Sequence, residues 1–253
     1  MMQYQFDVMA SDVDFRDQIH LHSLFGILQE AAARNAEEFG WGASTMDRQN
    51  AAWIILRMSV RMLRRPTIGE RVSIETWSRG YYRLFFLRDF LIYDEDGSTI
   101  GKATSMWLAV NKSTRRPLRP QMFDDVSSVV SMDRKVLFEE PLLIEPLSKS
   151  VGPDGASQIV KYADYSEIDR NLHVNNTRYI AWSMDAANYE KLTEYDILSA
   201  DINYLSEIKH KDKVDIAFVS KEAEVWVDGT VASTGKLAFC CRLSADGSLG
   251  GNE

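Results

Sequence analysis

Moved by 155 residues, from Asp14 to Asp169, the chain lies on itself without a gap. The stretch "DFRDQIHLHSLFGILQEAA" starting at Asp14 meets "DRNLHVNNTRYIAWSMDAA" starting at Asp169. Leu24 then falls on Tyr179, Ile27 on Trp182 and Glu30 on Asp185. Identity is low, but the order of features is shared: an aspartate, a polar loop, an amphipathic helix. An internal repeat limits the fold before any motif does, because it makes the chain two copies of one plan.

The first helix is expected over residues 23–39, where Leu24, Leu28, Ala31, Ala32 and Ala36 recur at helical spacing and Gly40 and Gly42 mark the stop. The second is expected over residues 176–191, with Tyr179, Ile180, Trp182, Ser183, Ala186 and Ala187 inward. After each helix the composition turns to β-branched and aromatic residues. Strands are expected at 51–63, 70–80, 82–94 and 99–111, with a hairpin turn at 94–98, and again at 198–208, 212–221, 223–229 and 231–243. The segment between the halves holds four of the six prolines and reads as a linker. A long helix followed by antiparallel strands, done twice, is an α+β pattern. The expected division is residues 1–125, a linker at 126–150, and residues 151–248.

With 45% hydrophobic and 26% charged residues, a packed core is expected rather than disorder. A net charge of −8 argues against general nucleic-acid binding, which needs a basic face. No basic-then-apolar leader stands at the start, and no apolar run approaches the ~18 residues of a membrane span. Cys240 and Cys241 are adjacent and point to opposite faces of a strand, so no mutual disulfide is expected. A reduced, cytoplasmic protein is the expectation. Four scattered histidines form no ligand set, so no metal or other cofactor is expected.

The stretch "SEIDRNLHVNNTRYIAW", Ser166 to Trp182, crowds polar side chains before an apolar run. The plain reading is a helix cap at Asn175 or Asn176 with Asp169 in a turn. The first copy, however, places Arg16 and Gln18 where the second has Asn171 and His173. In an extended loop, Asp169, Asn171 and His173 alternate onto one side, before a helix start whose free N–H groups attract developing negative charge. An acid, an amide and an imidazole there can serve as a base beside an oxyanion site. Glu207, expected on a strand, offers a second carboxylate, although taken alone it reads as a solvent-facing strand end.

These motifs resemble the acyl-acyl carrier protein thioesterases. The likeness rests on "DRNLHVNN" before a Tyr-containing helix, "NYLSE" some thirty residues on, and "LFGILQEAA", "PTIGERVSIETW" and "ATSMWLAVNKSTRRP" in the first half. It spans roughly residues 3 to 245. The resemblance implies two tandem hotdog domains, the first holding the acyl chain and the second catalytic. It sets Asp169, Asn171, His173 and Glu207 on the family's catalytic positions. Plant members carry a cysteine after that glutamate; here it is Ile208, so a cysteine mechanism is not expected at that position. The implied reaction is thioester hydrolysis releasing a free fatty acid, with acyl carrier protein as partner, no nucleic acid or membrane partner, and a homodimer allowed.

On that reading Asp169 is the first choice for base or nucleophile and Glu207 the second, two nearby carboxylates raising one pKa. Backbone N–H groups from Asn175 to Thr177 would polarise the thioester. The face of the first helix from Leu24 to Phe39, with Trp53, Ile55 and Trp107, would hold the acyl chain, although each of these also reads as plain core. Three basic runs, at 57–65, 112–119 and 209–213, would dock the acidic carrier, although each also reads as a solvated face. An acyl-coenzyme A thioesterase, a hotdog dehydratase or hydratase, and a non-catalytic acyl-binding module stay open as rivals.

Overall fold

The computed structural model describes residues 3–123, 136–138, 140–150, 155–187 and 189–246. Ten antiparallel strands form one continuous sheet. The N-terminal half contributes β1 (Gln3–Asp7), β2 (Ala51–Met62), β3 (Arg71–Tyr82), β4 (Phe85–Tyr93) and β5 (Thr99–Asn111). The C-terminal half contributes β6 (Ser157–Tyr162), β7 (Ser199–Tyr204), β8 (Lys213–Lys221), β9 (Glu224–Val231) and β10 (Lys236–Ser244). The order across the sheet is β1-β3-β4-β5-β2-β7-β10-β9-β8-β6. Read inward from either edge, the halves follow the same sequence of equivalent strands. They meet where β2 pairs with β7, from Arg57 opposite Asn203 to Arg61 opposite Ser199. Arg61 spans that seam with a two-pronged ion pair to Asp201, at 2.9 and 3.0 Å.

Each half packs one main helix on the sheet. Helix α1 (Leu21–Glu38) buries Leu21, Leu24, Phe25, Leu28, Ala31, Ala32 and Asn35. A short α2 (Ala43–Arg48) follows it. The C-terminal half begins after α3 (Leu147–Ser150) and carries α4 (Asn176–Ala186), which buries Tyr179, Ile180, Trp182, Ser183 and Ala186. This helix is shorter than expected: it ends at Ala186, and a separate α5 covers Tyr189–Glu194. Tyr179 meets Phe239 edge-on, with ring centroids 5.1 Å apart. Gly229 opposite leaves the space for that Phe239 ring, since a Cβ there would sit 2.0 Å from it.

The edge strands β1 and β6 escaped the sequence reading, because five or six alternating residues with little apolar content carry a weak signal. Residues 126–135 and 139 of the expected linker lie outside the described residues. The rest is a strap across the outer face of the sheet. The Leu137 and Leu142 N–H groups donate to Asp89 and Ser59, the Ile144 carbonyl accepts from Asn203, and the Leu147 N–H donates to Asp228. Each contact gives a partner to a buried polar side chain, while Asp89 Oδ1 and Asn203 Oδ1 have no hydrogen-bond partner among the described residues.

Candidate active site

The two aspartate loops share one backbone. Before each, a short 3-10 turn spans Ala10–Asp12 in one half and Tyr165–Glu167 in the other. The Asp14 N–H donates to the Gln18 carbonyl and the Asp169 N–H to that of His173, both at 2.8 Å. Asp17 and Leu172 both take the left-handed conformation, at φ 59° and 65°. The helices start in register, at Leu21 and Asn176. The alternation expected of an extended loop is therefore corrected: Asp169 to His173 is a tight turn. Its closure comes from Asp169, whose Oδ1 accepts the Asn171 N–H at 2.7 Å, while the Asn171 amide reaches Oδ2 at 3.4 Å.

His173 leaves this turn against the segment after β7, making a bridge with Lys209, and the Val174 N–H donates to the Ile208 carbonyl. Glu207 lies past the end of β7, not on a strand as expected. Its Oε2 sits 3.2 Å from His173 Nε2, and its other oxygen pairs with Arg115 of the N-terminal half. The four expected residues thus form two couples, Asp169 with Asn171 and Glu207 with His173, instead of a bonded pair of carboxylates. Burial, and then the positive charges of Arg115 and Lys209, hold the His173 pKa below its ordinary value, against the opposing pull of Asp169.

The helix start is already in use. Asn175 caps α4 by accepting from the Thr177 N–H at 2.9 Å, and its own N–H donates to the Glu167 carbonyl. Of the three expected oxyanion donors, two are spent on structure, and the Asn176 N–H is left.

A cavity of about 270 Å³ opens beside the turn. Its apolar wall includes Ala32 and Ala36 of α1 and Phe39 just after it, with Trp53, Phe86 and Trp107 of the sheet. Arg170 and Asn171 line the same cavity, so the polar turn and the apolar wall share one space. Trp53 and Trp107 line this cavity, whereas Ile55 packs in the core. Asp47 of α2 pairs with Lys112 and lies 3.5 Å from Arg170 at the cavity wall.

Residues 1–129 match the family of acyl-ACP thioesterase N-terminal domains, and residues 155–235 match the corresponding C-terminal domains. The chain belongs to the acyl-ACP thioesterase family. It is 27% identical to the chloroplastic oleoyl-acyl carrier protein thioesterase of Coriandrum sativum over 83% of its length, and 26% identical to oleoyl-acyl carrier protein thioesterase 1 of Arabidopsis thaliana over 96%. It spans 60% and 72% of those two relatives. The crystal structure of an acyl-ACP thioesterase from Bacteroides thetaiotaomicron superposes over 96% of both chains with 27% identity and a TM-score of 0.85. The 12:0-ACP thioesterase from Umbellularia californica shares the fold at 20% identity and a TM-score of 0.81. The hotdog architecture expected from the sequence is thus the fold observed.

In this acyl-ACP thioesterase-family chain three arginines of the first cluster already have carboxylate partners. Arg61 is committed to Asp201, Arg64 to Glu70 and Asp94, and Arg65 to Asp14 and Asp196. In the second cluster, Arg115 turns to Glu207 and Lys112 to Asp47. No described helix is long and apolar enough to cross a membrane. Among the described residues no cluster of histidine, cysteine and carboxylate groups could hold a metal ion.

Proposed function

We propose that this chain hydrolyses the thioester of a fatty acyl group on acyl carrier protein, releasing the free acid and the carrier thiol. The observation that carries the reading is the shared space of the apolar cavity and the Asp169–His173 turn. An acyl chain lying along the alanine and tryptophan wall brings its carbonyl to Asn171. The Asn171 amide and the Asn176 N–H then stand near the thioester oxygen as donors.

Asp169 takes a proton from water as the oxygen adds to the carbonyl carbon, or adds to that carbon itself. The C–S bond breaks, and the departing thiolate receives a proton. Glu207, 3.2 Å from His173 Nε2, favours the tautomer with its proton there, leaving Nδ1 as an acceptor that orients water. Single turnover in ¹⁸O water separates the two routes, since only a covalent acyl-aspartate leaves label in Asp169.

The roles of the halves follow the same proposal: residues 1–125 hold the acyl chain, residues 126–150 connect, and residues 151–248 do the chemistry. The reduced state of the buried Cys240 and Cys241 supports a reducing compartment such as the cytoplasm. Light scattering tests the homodimer.

Asp169→Asn and His173→Ala should leave the fold intact and lower hydrolysis by ~10²–10³ or more. The Asn variant keeps an oxygen to close the turn. Near-normal turnover in both would reduce the site to a helix cap. Matched acyl-coenzyme A substrates run beside the carrier-bound ones test the choice of carrier.

A further inference from the structure

Glu207 meets a cation supplied by the other half of the chain. Arg115 lies in the loop after β5 and reaches Glu207, 92 residues away in sequence, as an ion pair. The loop is built to hold it. Asn111 Oδ1 accepts from the Ser113 and Thr114 N–H groups at 3.1 and 2.9 Å. The Asn111 and Arg115 backbones close the turn, through Asn111 N–H to the Arg116 carbonyl and Arg115 N–H to the Asn111 carbonyl. Arg115 itself has φ 59°. A glycine would satisfy that backbone at no steric cost, which an L side chain cannot do. The turn therefore carries a long cation at a position where its backbone favours none.

A second grip lies beside it. Asp47 of the N-terminal half holds Lys112, from the same loop, and lies 3.5 Å from Arg170 of the aspartate turn. The N-terminal half thus touches both couples of the proposed site, Asp169/Asn171 through Arg170 and His173/Glu207 through Arg115.

We propose that Arg115 is a positioning residue: it fixes the Glu207 carboxylate against His173, so that the proposed site is complete only when the N-terminal half is docked. This rests on the thioesterase reading. Arg115 touches Glu207 rather than substrate, and it acts on His173 through both contact and charge. The groups facing His173 are Asp169 from its own turn, Glu207 and Lys209 from the segment after β7, and Arg115. Removing Arg115 deletes one of the charges that lower the His173 pKa and frees a carboxylate that raises it. Both changes act in the same direction.

The test compares the full chain with Arg115→Gln and Arg115→Lys. In Arg115→Gln, kcat on carrier-bound substrate should fall about tenfold or more with KM changed far less, and the acid limb of the pH profile should move to higher pH. Arg115→Lys should recover part of kcat and return the acid limb toward the wild-type position. Thermal stability should change little, because the pair is half-exposed, with side-chain exposures of 49% and 42%. A rise in KM alone, abolished by salt, would make Arg115 a docking cation and overturn the proposal. So would an unmoved pH limb.

An NMR titration of the histidines reads the His173 pKa without any turnover. A rise in Arg115→Gln supports the positioning role even if the wild type hydrolyses no thioester, an outcome that would sink the functional reading alone. No rise overturns the positioning role even if hydrolysis is robust.

Discussion

Arg65 and Glu207 occupy the same place in the two halves. The segment after β2 and the segment after β7 carry one hydrogen-bond pattern, 142 residues apart. Ile19 N–H meets the Pro66 carbonyl where Val174 N–H meets that of Ile208, and Gly69 N–H meets the Val8 carbonyl where Lys211 N–H meets that of Ala163. The bridge of Gln18 to Thr67 matches that of His173 to Lys209. The residue before each shared carbonyl is Arg65 in one half and Glu207 in the other. In the first half the side chain at that place donates to Gln18 at 2.7 Å and pairs with Asp14 at 2.8 Å. One backbone thus serves two ends: a carboxylate beside an imidazole in the C-terminal half, and a buried guanidinium that ties down the matching aspartate in the N-terminal half.

Arg65 also reaches Asp196 of the C-terminal half and is only 4% exposed. Arg65→Met strands the Asp14 carboxylate with little water and no cation. A loss of about 3–5 kcal/mol in unfolding free energy is expected, as for other broken buried pairs. Denaturant melts measure it, and turnover per folded molecule at low temperature should stay near wild type.

Leu172 sits at the tip of the aspartate turn, 76% exposed and at φ 65°. Leu172→Gly relieves about 1–2 kcal/mol of left-handed strain and costs about 0.5–1 kcal/mol in chain entropy. The expected result is a stability unchanged or raised by up to about 1.5 kcal/mol. Leu172→Val, β-branched at positive φ, should destabilise. The midpoint of chemical unfolding distinguishes the two.

Arg88 lines the cavity, and NH1 donates to two neutral oxygens, Asn35 Oδ1 at 2.7 Å and Thr76 Oγ1 at 3.1 Å. Burial pulls its pKa down to about 10, with only Tyr4 opposing. A guanidinium in the wall is a poor neighbour for a methyl end. Arg88→Leu should move the chain-length optimum of kcat/KM toward longer acyl groups. A panel of carrier-bound chains of increasing length reads this, and an unmoved optimum would show that the chain end never meets Arg88.

His22 on α1 stacks on His20, with ring centroids 4.9 Å apart. Its pKa falls from 6.5 to about 4, first through burial, then through His20 and Arg178, with Asp185 and Asp12 opposing. The folded chain therefore binds fewer protons here than the unfolded chain between about pH 4 and 6.5. Stability from this group is full above that window and is lost as the pH falls through it. His22→Gln should flatten that part of a plot of melting temperature against pH.

The sequence by itself determined what is local. The displacement of 155 residues that aligned Asp14 with Asp169 also aligns the 3-10 turns, the left-handed Asp17 and Leu172, and the helix starts. Those features are set by hydrogen bonds reaching a few residues along the chain, so neighbouring side chains encode them. The strands from β2 to β5 were equally legible, because each runs nine to thirteen residues rich in β-branched and aromatic side chains. Tertiary structure decided the rest. Glu207 reads as a solvent-facing strand end until the two halves meet. The docking of the β5 loop gives it Arg115, and the aspartate turn of its own half gives it His173. Arg65, alike in sequence to Arg61 and Arg64, became a buried tie because it follows β2 where the first aspartate loop turns back. A charge run states only that charges are present. Which of them find partners depends on surfaces that the chain brings together from far apart.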